Sequence, residues 1–299
     1  MTAFGAGDWP YRLGCPVWAS KTWNGGFYTP DAGPGDWLAQ YSSVFGTVEG
    51  NASFYGLPAP ATVARWAQDA APGFRFCFKV PRAITHEARL IDCRAATAEF
   101  LDRLAPLAAR DALGPLLLQL PPDYGPDGLA RLLDWLDALP AGRTCAVEMR
   151  HPCFYDRSPA ERALNRALHE RGIDRATMDT RGLFSATDAD PATREARRKK
   201  PQLPARALAL GPRPFVRYVG HPVLARNGHW LAQWAGQFAT WITEGREPWF
   251  FAHMPDDRDA PALARAFHEE LRSRIASLPA LPPWPAGRLP QQSGLFGGN

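Results

Sequence analysis

Residues 146–154 read Ala-Val-Glu-Met-Arg-His-Pro-Cys-Phe, an apolar stretch that carries charge near its end and then stops at a proline. The apolar residues around Glu148 predict a β-strand, and Pro152 ends it because proline cannot donate a hydrogen bond to a neighbouring strand. Just before that stop lie a carboxylate (Glu148), a guanidinium (Arg150) and an imidazole (His151). These are side chains that proteins use to move protons and to bind anions. The stretch therefore predicts a strand that ends in side chains able to transfer protons or to bind an anion.

The same layout, an apolar run followed by polar residues and a turn, recurs along the chain. The predicted strands cover residues 13–18, 44–55, 74–80, 115–120, 146–149, 173–180, 215–219 and 248–254. Most of them alternate with helical patterns, which is typical of a single (β/α)8 TIM-like barrel. A doubly wound open sheet is the alternative, but it usually has a glycine-rich phosphate turn after an early strand, and this sequence has none. We expect an α/β barrel domain over residues 1–278 and an extended tail, rich in proline and glycine, over residues 279–299.

Composition is consistent with a globular protein that builds a substantial core. Of the 299 residues, 45% are hydrophobic and 21% are charged. The net charge of +4 permits a phosphate-bearing or nucleic-acid partner but does not require one. The five cysteines form no C-x-x-C pair, the amino terminus lacks a leader pattern, and no apolar run is long enough to span a bilayer. These features predict a reduced, cytoplasmic protein with no membrane partner.

Polar side chains lie at or near the ends of the predicted strands. In a (β/α)8 barrel the carboxyl ends of the strands meet at one mouth, which is where active sites of this fold lie. The strand-end residues are Glu49, Lys79, Gln119, Glu148, Arg150, Asp179, Arg217, His221 and His253. Any one of these residues could be a hydrogen-bonded polar side chain at the rim of the core, but their convergence predicts a functional cleft.

Five segments, in order, resemble the YecE-like family, a domain of unknown function numbered seventy-two. They are GCPVWASKTWNGGFY, TVEGNASFYGLP, FRFCFKVPRAITH, LGPLLLQLPPDY and AVEMRHPCFY. The resemblance implies a TIM-like barrel and no particular activity. It places the family's polar signature on Glu49, Asn51, Lys79, His86, Gln119, Glu148, Arg150, His151 and Asp179. Residues 250–257 depart from the paired asparagines of many relatives, and His253 is the candidate replacement.

The mouth residues suggest an enzyme, of hydrolase or isomerase type, that acts on a small anionic or phosphate-bearing substrate. Glu49 and Glu148 are the candidate acid and base, and Lys79 and Arg150 the candidate anion holders. The alternative is that the same carboxylates form buried ion pairs that only fix the mouth. The full set of predicted catalytic residues is Glu49, Glu148, Asp179 and His151. The predicted substrate-binding residues are Asn51, Lys79, His86, Gln119, Arg150, Arg217, His221 and His253.

A divalent metal is a weaker hypothesis. The candidate ligands are Glu148, Asp179, His221 and His253, which are of the types that hold Zn²⁺, Mn²⁺ or Mg²⁺. No short motif such as H-E-x-x-H supports this set. A histidine directly before a proline, as at His151 and His221, has the alternative role of holding a turn.

Two further segments suggest partners. The basic run at residues 194–200 could contact nucleic-acid phosphates, or it could be a solvated helix face. In the tail, Gln292, Leu295 and Phe296 resemble the peptides that dock on bacterial sliding clamps. There the leucine and phenylalanine would enter an apolar pocket while the glutamine forms a hydrogen bond at its edge. The second reading of the chain is thus a nucleic-acid-associated accessory protein recruited through its tail.

Overall fold

The computed structural model describes residues 9–187 and 190–288, and within them the chain is an α/β protein with eight parallel strands. The strands are β1 (Arg12–Gly14), β2 (Thr47–Gly50), β3 (Arg75–Phe78), β4 (Leu116–Gln119), β5 (Cys145–Glu148), β6 (Asp174–Asp179), β7 (Phe215–Val219) and β8 (Trp249–His253). Their cores are almost wholly buried, as expected for parallel strands covered by helices. All eight predicted strands are present: β7 has the predicted bounds, β5 is shifted by one residue, and the other six are shorter than predicted.

The strands form two sheets. Six of them make a curled parallel sheet in the order β1-β8-β7-β6-β5-β4, and β2 pairs with β3 in a separate two-stranded sheet. Isolated contacts lie between the sheets: Glu49 N donates to Cys15 O at 3.0 Å, and Lys79 bridges Leu117. At Gly14 a Cβ atom would lie only 2.1 Å from the Thr47 carbonyl oxygen, so glycine lets β1 and β2 approach. A complete eight-stranded barrel is therefore not shown, because the ladder is interrupted on both sides of the β2-β3 pair.

Helices follow most of the strands and cover one face of the sheets. They are α1 (Trp37–Ser42), α2 (Ala52–Tyr55), α3 (Pro60–Asp69), α4 (Arg94–Arg103), α5 (Ala105–Ala109), α6 (Leu129–Asp137), α7 (Pro159–Glu170), α8 (Arg181–Ser185), α9 (Pro191–Lys199), α10 (Gly228–Thr243) and α11 (Ala260–Arg272). Residues Ala83–Glu87 form one π-helical turn after β3. The start of α7 shows why the sequence folds this way: the Ser158 hydroxyl accepts from Glu161 N, and Pro159 occupies the first turn, where no N–H is needed.

Because side chains alternate between the two faces of a strand, the apolar strand residues fall into two separate clusters. Phe250 and Tyr218 pack with helix residues such as Phe238 and Phe267 in the large core between sheet and helices. Alternate strand residues form a second, smaller cluster that contains no helix residue. Its members are Cys77, Leu117, Ala146, Ala176, Phe215, Trp249 and Phe251. Because successive side chains point to opposite faces, this cluster lies on the face turned away from the helices.

The same alternation brings a polar layer directly above this inner cluster. Two positions further along the strands, on the same face, the residues change from apolar to mostly polar. They are Lys79, Gln119, Glu148, Met178, Arg217 and His253. All six are buried. The strands thus place an internal, mostly polar layer at their carboxyl ends, and five of its six residues are among those that the sequence predicted at strand ends.

The proline-rich segment expected to form an extended appendage lies, as far as residue 288, against the domain. Leu281 is buried, and the Trp284 ring packs edge-on against Phe27 at 5.6 Å between centroids. The Arg265 guanidinium lies 3.9 Å from the centre of the Trp284 ring. Apolar and cation–π contacts therefore hold this part of the segment, which composition alone did not reveal. Within the described chain, none of the helices has both the length and the apolar composition needed to cross a membrane.

Candidate functional site

The centre of the polar layer is a buried ion-pair network around Arg217 of β7. Its Nε and Nη2 atoms donate to the two carboxylate oxygens of Glu49, each at 2.6 Å. Its Nη1 atom donates to Glu148 Oε2 at 2.5 Å. One guanidinium therefore joins β2 to β5 across the layer, with the two-pronged geometry that arginine offers to a carboxylate.

This network determines the ionisation of both carboxylates. Burial alone would raise the pKa of Glu49, but Arg217 and His253 hold it well below the ordinary value. Burial likewise opposes ionisation of Glu148, and Arg217 and Arg150 lower its pKa nonetheless. A carboxylate held in its charged form by a buried guanidinium is a poor proton donor near neutral pH. The predicted roles of Glu49 and Glu148 as acid and base lack the split in pKa that they need.

Three more of the predicted residues surround the two carboxylates. Asn51 donates from Nδ2 to Glu49 Oε1 at 2.8 Å and to the Pro16 carbonyl oxygen at 3.1 Å. Arg150 Nε donates to Glu148 Oε1 at 2.8 Å. His253 Nε2 lies 3.4 Å from Glu49 Oε2, yet it forms no hydrogen bond of good geometry with any described group. The network is thus a structural one, close to the alternative that the sequence left open, with Arg217 as its hub.

Lys79 lies in the same layer but outside the ion pairs. Its Nζ atom sits 3.5 Å from the centre of the Phe54 ring. The structure gives this ammonium no ion pair or hydrogen bond with another described residue, although both carboxylates act on it electrostatically. Burial and the neighbouring Arg217 lower the pKa of Lys79 to about 7. A buried lysine without a partner can exchange its proton at neutral pH, which arginine cannot do.

Lys200 is a second cation at this layer, and the sequence patterns missed it. Burial lowers the pKa of Lys200, while the attraction of Asp257 opposes this shift, and Arg217, Glu49 and Arg150 also act on its charge. The residue follows the last turn of α9 in an extended conformation, with φ −110° and ψ 134°. The chain therefore leaves the helix at Lys200, whose partly buried side chain lies within electrostatic range of Asp257 and of the Arg217 network.

Gln119 and His86 complete the polar lining. Gln119 is buried at the end of β4, and its side-chain amide has no hydrogen-bond partner among the described residues. His86 lies in the π-helical turn, with Nδ1 2.8 Å from the Thr85 hydroxyl and its ring edge-on to Phe54. Burial, with Lys79 and Arg150 close by, lowers the pKa of His86 to about 4. His86 is therefore a neutral imidazole at pH 7.

The charges of the mouth do not balance. Glu49 and Glu148 are neutralised by Arg217 and Arg150. Among the described residues no carboxylate contacts Lys79 or Lys200, although Asp257 attracts the Lys200 ammonium, and Gln119 in the same layer has an unpaired amide. Cations that lack a counter-ion in contact, in a largely buried site, favour an anion from solution.

Asp179 does not join this cluster, and its predicted catalytic role is not supported by its contacts. Its carboxylate accepts from Arg181 Nε at 3.0 Å and Nη2 at 2.8 Å, and from Trp234 Nε1 at 2.8 Å. Strand alternation gives the reason. Met178 is the β6 residue that faces the mouth, with its Sδ atom 3.9 Å from Arg150 Nη2, so the next side chain points towards α10.

Two predicted histidines hold turns. His151 Nδ1 accepts from Cys153 N at 3.2 Å and caps the short 3-10 helix that starts at Pro152. His221 Nδ1 accepts from Val223 N at 2.9 Å, and its buried Nε2 atom has no partner among the described residues. The turn-holding alternative therefore accounts for both contacts, and His151 shows no contact with Glu49, Arg217 or Lys79.

The four residues predicted as a metal set are not brought together. Glu148 binds two guanidiniums, Asp179 binds Arg181 and Trp234, and the Nδ1 atom of His221 is used by its own turn. In the described ranges no group of three or more His, Cys, Asp or Glu side chains is arranged to hold a metal ion. The mouth is lined by cations, which disfavours another cation there.

The basic run divides into residues with different surroundings. Arg197 donates to the carbonyl oxygens of Leu183 and Ala186, while Arg198 and Lys199 are exposed and pair with Glu195. With Arg197 hydrogen-bonded to the protein and Lys200 partly buried, the run presents less charge to solvent than the sequence suggested. The predicted clamp-binding residues Gln292, Leu295 and Phe296 lie outside the described residues.

Comparison with known proteins identifies relatives along almost the whole chain. The family model for "Protein of unknown function DUF72" matches residues 12–288. The UPF0759 protein YecE of Escherichia coli strain K12 is 37% identical over 284 residues, which is 95% of this chain and 99% of the relative. The protein of the same name from E. coli O157:H7 is also 37% identical over the same length.

Two solved structures of DUF72 family proteins share the fold. The protein from Enterococcus faecalis V583 superposes with a TM-score of 0.67 at 19% identity and covers 88% of this chain and 95% of its own. The protein from Thermotoga maritima MSB8 gives a TM-score of 0.66 at 19% identity, with 89% and 99% of the two chains covered. At this identity the likeness concerns the fold alone.

Proposed function

The chain belongs to the family described as protein of unknown function DUF72, and we propose that it is an enzyme that binds a small anionic substrate at the strand-end mouth. The observation that best supports the proposal is the pair of lysines: the charge of Arg217 acts on both Lys79 and Lys200, while the carboxylates of that network are already paired with arginines. An anion would supply the charge that these ammonium groups lack. Arg150, Gln119 and His86 line the same layer and would orient it.

The proposed reaction remains of hydrolase or isomerase type, with a changed assignment of roles. Glu49 and Glu148 position Arg217 and set the charge of the mouth, because their lowered pKa values suit fixed anions. We assign the role of general acid or base to Lys79, because its pKa of about 7 suits proton transfer near neutral pH. His86, neutral at that pH, is the second group able to accept a proton.

Sulfate binding measured by isothermal titration calorimetry tests the proposal, because the charge of sulfate does not change between pH 6 and pH 8. Wild-type protein should bind sulfate at pH 6 and lose affinity by pH 8, as Lys79 loses its proton. Lys79→Met and Lys200→Met should each weaken binding, while Lys199→Met, a change at an exposed neighbour, should not. Absence of binding at both pH values, or equal binding by all variants, would contradict the proposal.

We also propose that the two sheets act as one eight-stranded barrel. The supporting contacts are the hydrogen bond from Glu49 N to Cys15 O and the bridges Phe76–Leu113 and Lys79–Leu117. A cytoplasmic location is part of the same proposal. All five cysteines are free in a structure that buries four of them, which suits a reducing compartment.

Recruitment to a sliding clamp through Gln292, Leu295 and Phe296, and contact with nucleic acid, remain separate proposals that rest on the sequence. A tail peptide of residues 288–299 titrated into a purified bacterial clamp tests the first. Binding tighter than about 1 mM that is lost in a Leu295→Ala, Phe296→Ala peptide would support it, and no binding would end it.

A further inference from the structure

Lysine is rare in this chain, and two of the four lysines lie at or near the mouth. The sequence has 34 lysine and arginine residues together, of which only Lys21, Lys79, Lys199 and Lys200 are lysines. The other 30 of these residues are arginines. Unlike arginine, lysine has an amine that can lose a proton near neutral pH and then act as a nucleophile.

The surroundings of Lys79 favour that use over simple charge. Its backbone is fixed at the end of β3, where Lys79 N donates to Gly50 O at 3.2 Å and the Ser53 hydroxyl donates to Lys79 O at 2.7 Å. Both carboxylates of the layer are paired with Arg217, and no carboxylate of the described residues contacts the amine. The side chain instead lies on the apolar face of Phe54. A desolvated amine beside another cation is an arrangement that activates a lysine nucleophile.

We propose that Lys79 forms a covalent imine with the carbonyl carbon of a small oxo acid whose carboxylate is held by Lys200 and Arg150. The inference deepens the proposed function and rests on it, since it names the substrate class of the same mouth. A 2-oxo acid combines the two features that the site can recognise, an anionic group for the cations and a carbonyl for the amine.

The step balances without an oxidant or a further reactant. The neutral amine of Lys79 attacks the carbonyl carbon, a C–N bond forms, and a proton moves from nitrogen to the former carbonyl oxygen. The C–O bond then breaks, the oxygen leaves as water with one further proton, and a protonated imine remains. Counted from the ammonium form of Lys79, the products are the iminium ion and one water. His86, edge-on to the Phe54 ring that Lys79 contacts, is placed to carry the proton between these steps.

The ionisation of Lys79 also supports its proposed role as a nucleophile. The groups acting on its amine are Arg217, Glu148, Arg150 and Glu49, and with burial they bring its pKa to about 7. The Phe54 ring acts in the opposite direction, because its face stabilises the ammonium form. One unit of pKa changes the neutral fraction tenfold, so at neutral pH this amine is unprotonated roughly a thousandfold more often than an ordinary lysine.

Reductive trapping on the full-length protein tests the proposal. The wild-type protein is incubated with pyruvate or glyoxylate and sodium borohydride, the mass of the intact chain is measured, and the modified residue is located by peptide mapping. We expect one equivalent of adduct at Lys79, formed at least about tenfold faster than at Lys199 or Lys21. Propionate, which has the carboxylate but no carbonyl, should slow the labelling and form no adduct.

Matched variants provide the controls. Lys79→Arg keeps the positive charge and removes the nucleophile, so it should trap nothing at the mouth, and Lys199→Arg should trap as the wild type does. The location of the label in the wild-type protein decides the question even if Lys79→Arg fails to fold. No adduct, or an adduct spread evenly over the lysines and the amino terminus, would overturn the proposal.

The experiment separates this inference from the proposed function. If the protein binds sulfate and propionate but traps no carbonyl compound, the mouth is an anion site and Lys79 is not a nucleophile. If neither anion binds and no adduct forms, the proposed function fails and takes this inference with it.

Discussion

Replacing Arg217 by methionine removes the guanidinium at the centre of the buried network while keeping an unbranched apolar side chain. Three charge-assisted hydrogen bonds to two buried carboxylates are lost. Glu148 keeps Arg150, but Glu49 keeps only the Asn51 amide and His253 at 3.4 Å. Glu49, fully buried, is then left as an anion without a guanidinium partner.

The expected loss follows from this geometry. Breaking a buried pair by removing one partner costs about 3–5 kcal/mol, because the remaining charge stays desolvated. The loss should depend on pH. Both carboxylates have lowered pKa values in the folded protein, so their contribution is full above the unfolded pKa and is lost as the pH falls through the folded pKa. Below about pH 4 the wild type and Arg217→Met should therefore approach each other in stability.

Urea unfolding at a series of pH values measures this difference in the free energy of unfolding. The matched control is Arg198→Met, which breaks an exposed pair with Glu195 and should cost less than about 1 kcal/mol. A loss at pH 7 below about 1 kcal/mol for Arg217→Met, or a difference from the wild type that widens at low pH, would refute the account of the network.

Three further predictions concern the mouth and its surroundings. In Lys79→Met the fall in sulfate affinity between pH 6 and pH 8 should disappear, because the pKa of about 7 that causes it belongs to this amine; calorimetry at both values checks this. Lys200→Ala should weaken sulfate binding by about tenfold, the effect of one lost charge-assisted contact, while Lys199→Ala leaves it unchanged. Asp179→Asn should lower the free energy of unfolding by about 1–3 kcal/mol through its bonds to Arg181 and Trp234, with sulfate affinity retained, as unfolding and titration curves would show.

The strands were predictable because each apolar run ends where polar residues and a proline or glycine begin. The side-chain partners of the strand residues were not predictable, because ion pairing across the mouth depends on which face of the sheet each residue occupies. Glu49 and Arg217 are 168 positions apart in the sequence, and nothing local signals that they meet. Asp179 was wrongly assigned to the mouth for the same reason, because a shift of one residue along a strand reverses the side chain.

Lys200 shows a second limit of prediction from sequence. The run at residues 194–200 has the composition of a solvated helix, and Arg198 and Lys199 behave so. Lys200 leaves the helical path and is partly buried because the helix ends there, directly before Pro201, which cannot continue it. Two signals were present in the sequence: the proline that ends the helix, and the scarcity of lysine in a chain that otherwise uses arginine.

The central claim is that the end of β3 and the end of α9, distant in sequence, create one anion site between Lys79 and Lys200. Anomalous diffraction from crystals soaked in selenate tests it most directly. The account predicts the strongest selenium peak within hydrogen-bond distance of both ammonium groups, beside an intact Glu49–Arg217–Glu148 network. Peaks only at exposed arginines, with the mouth empty of selenate, would contradict it.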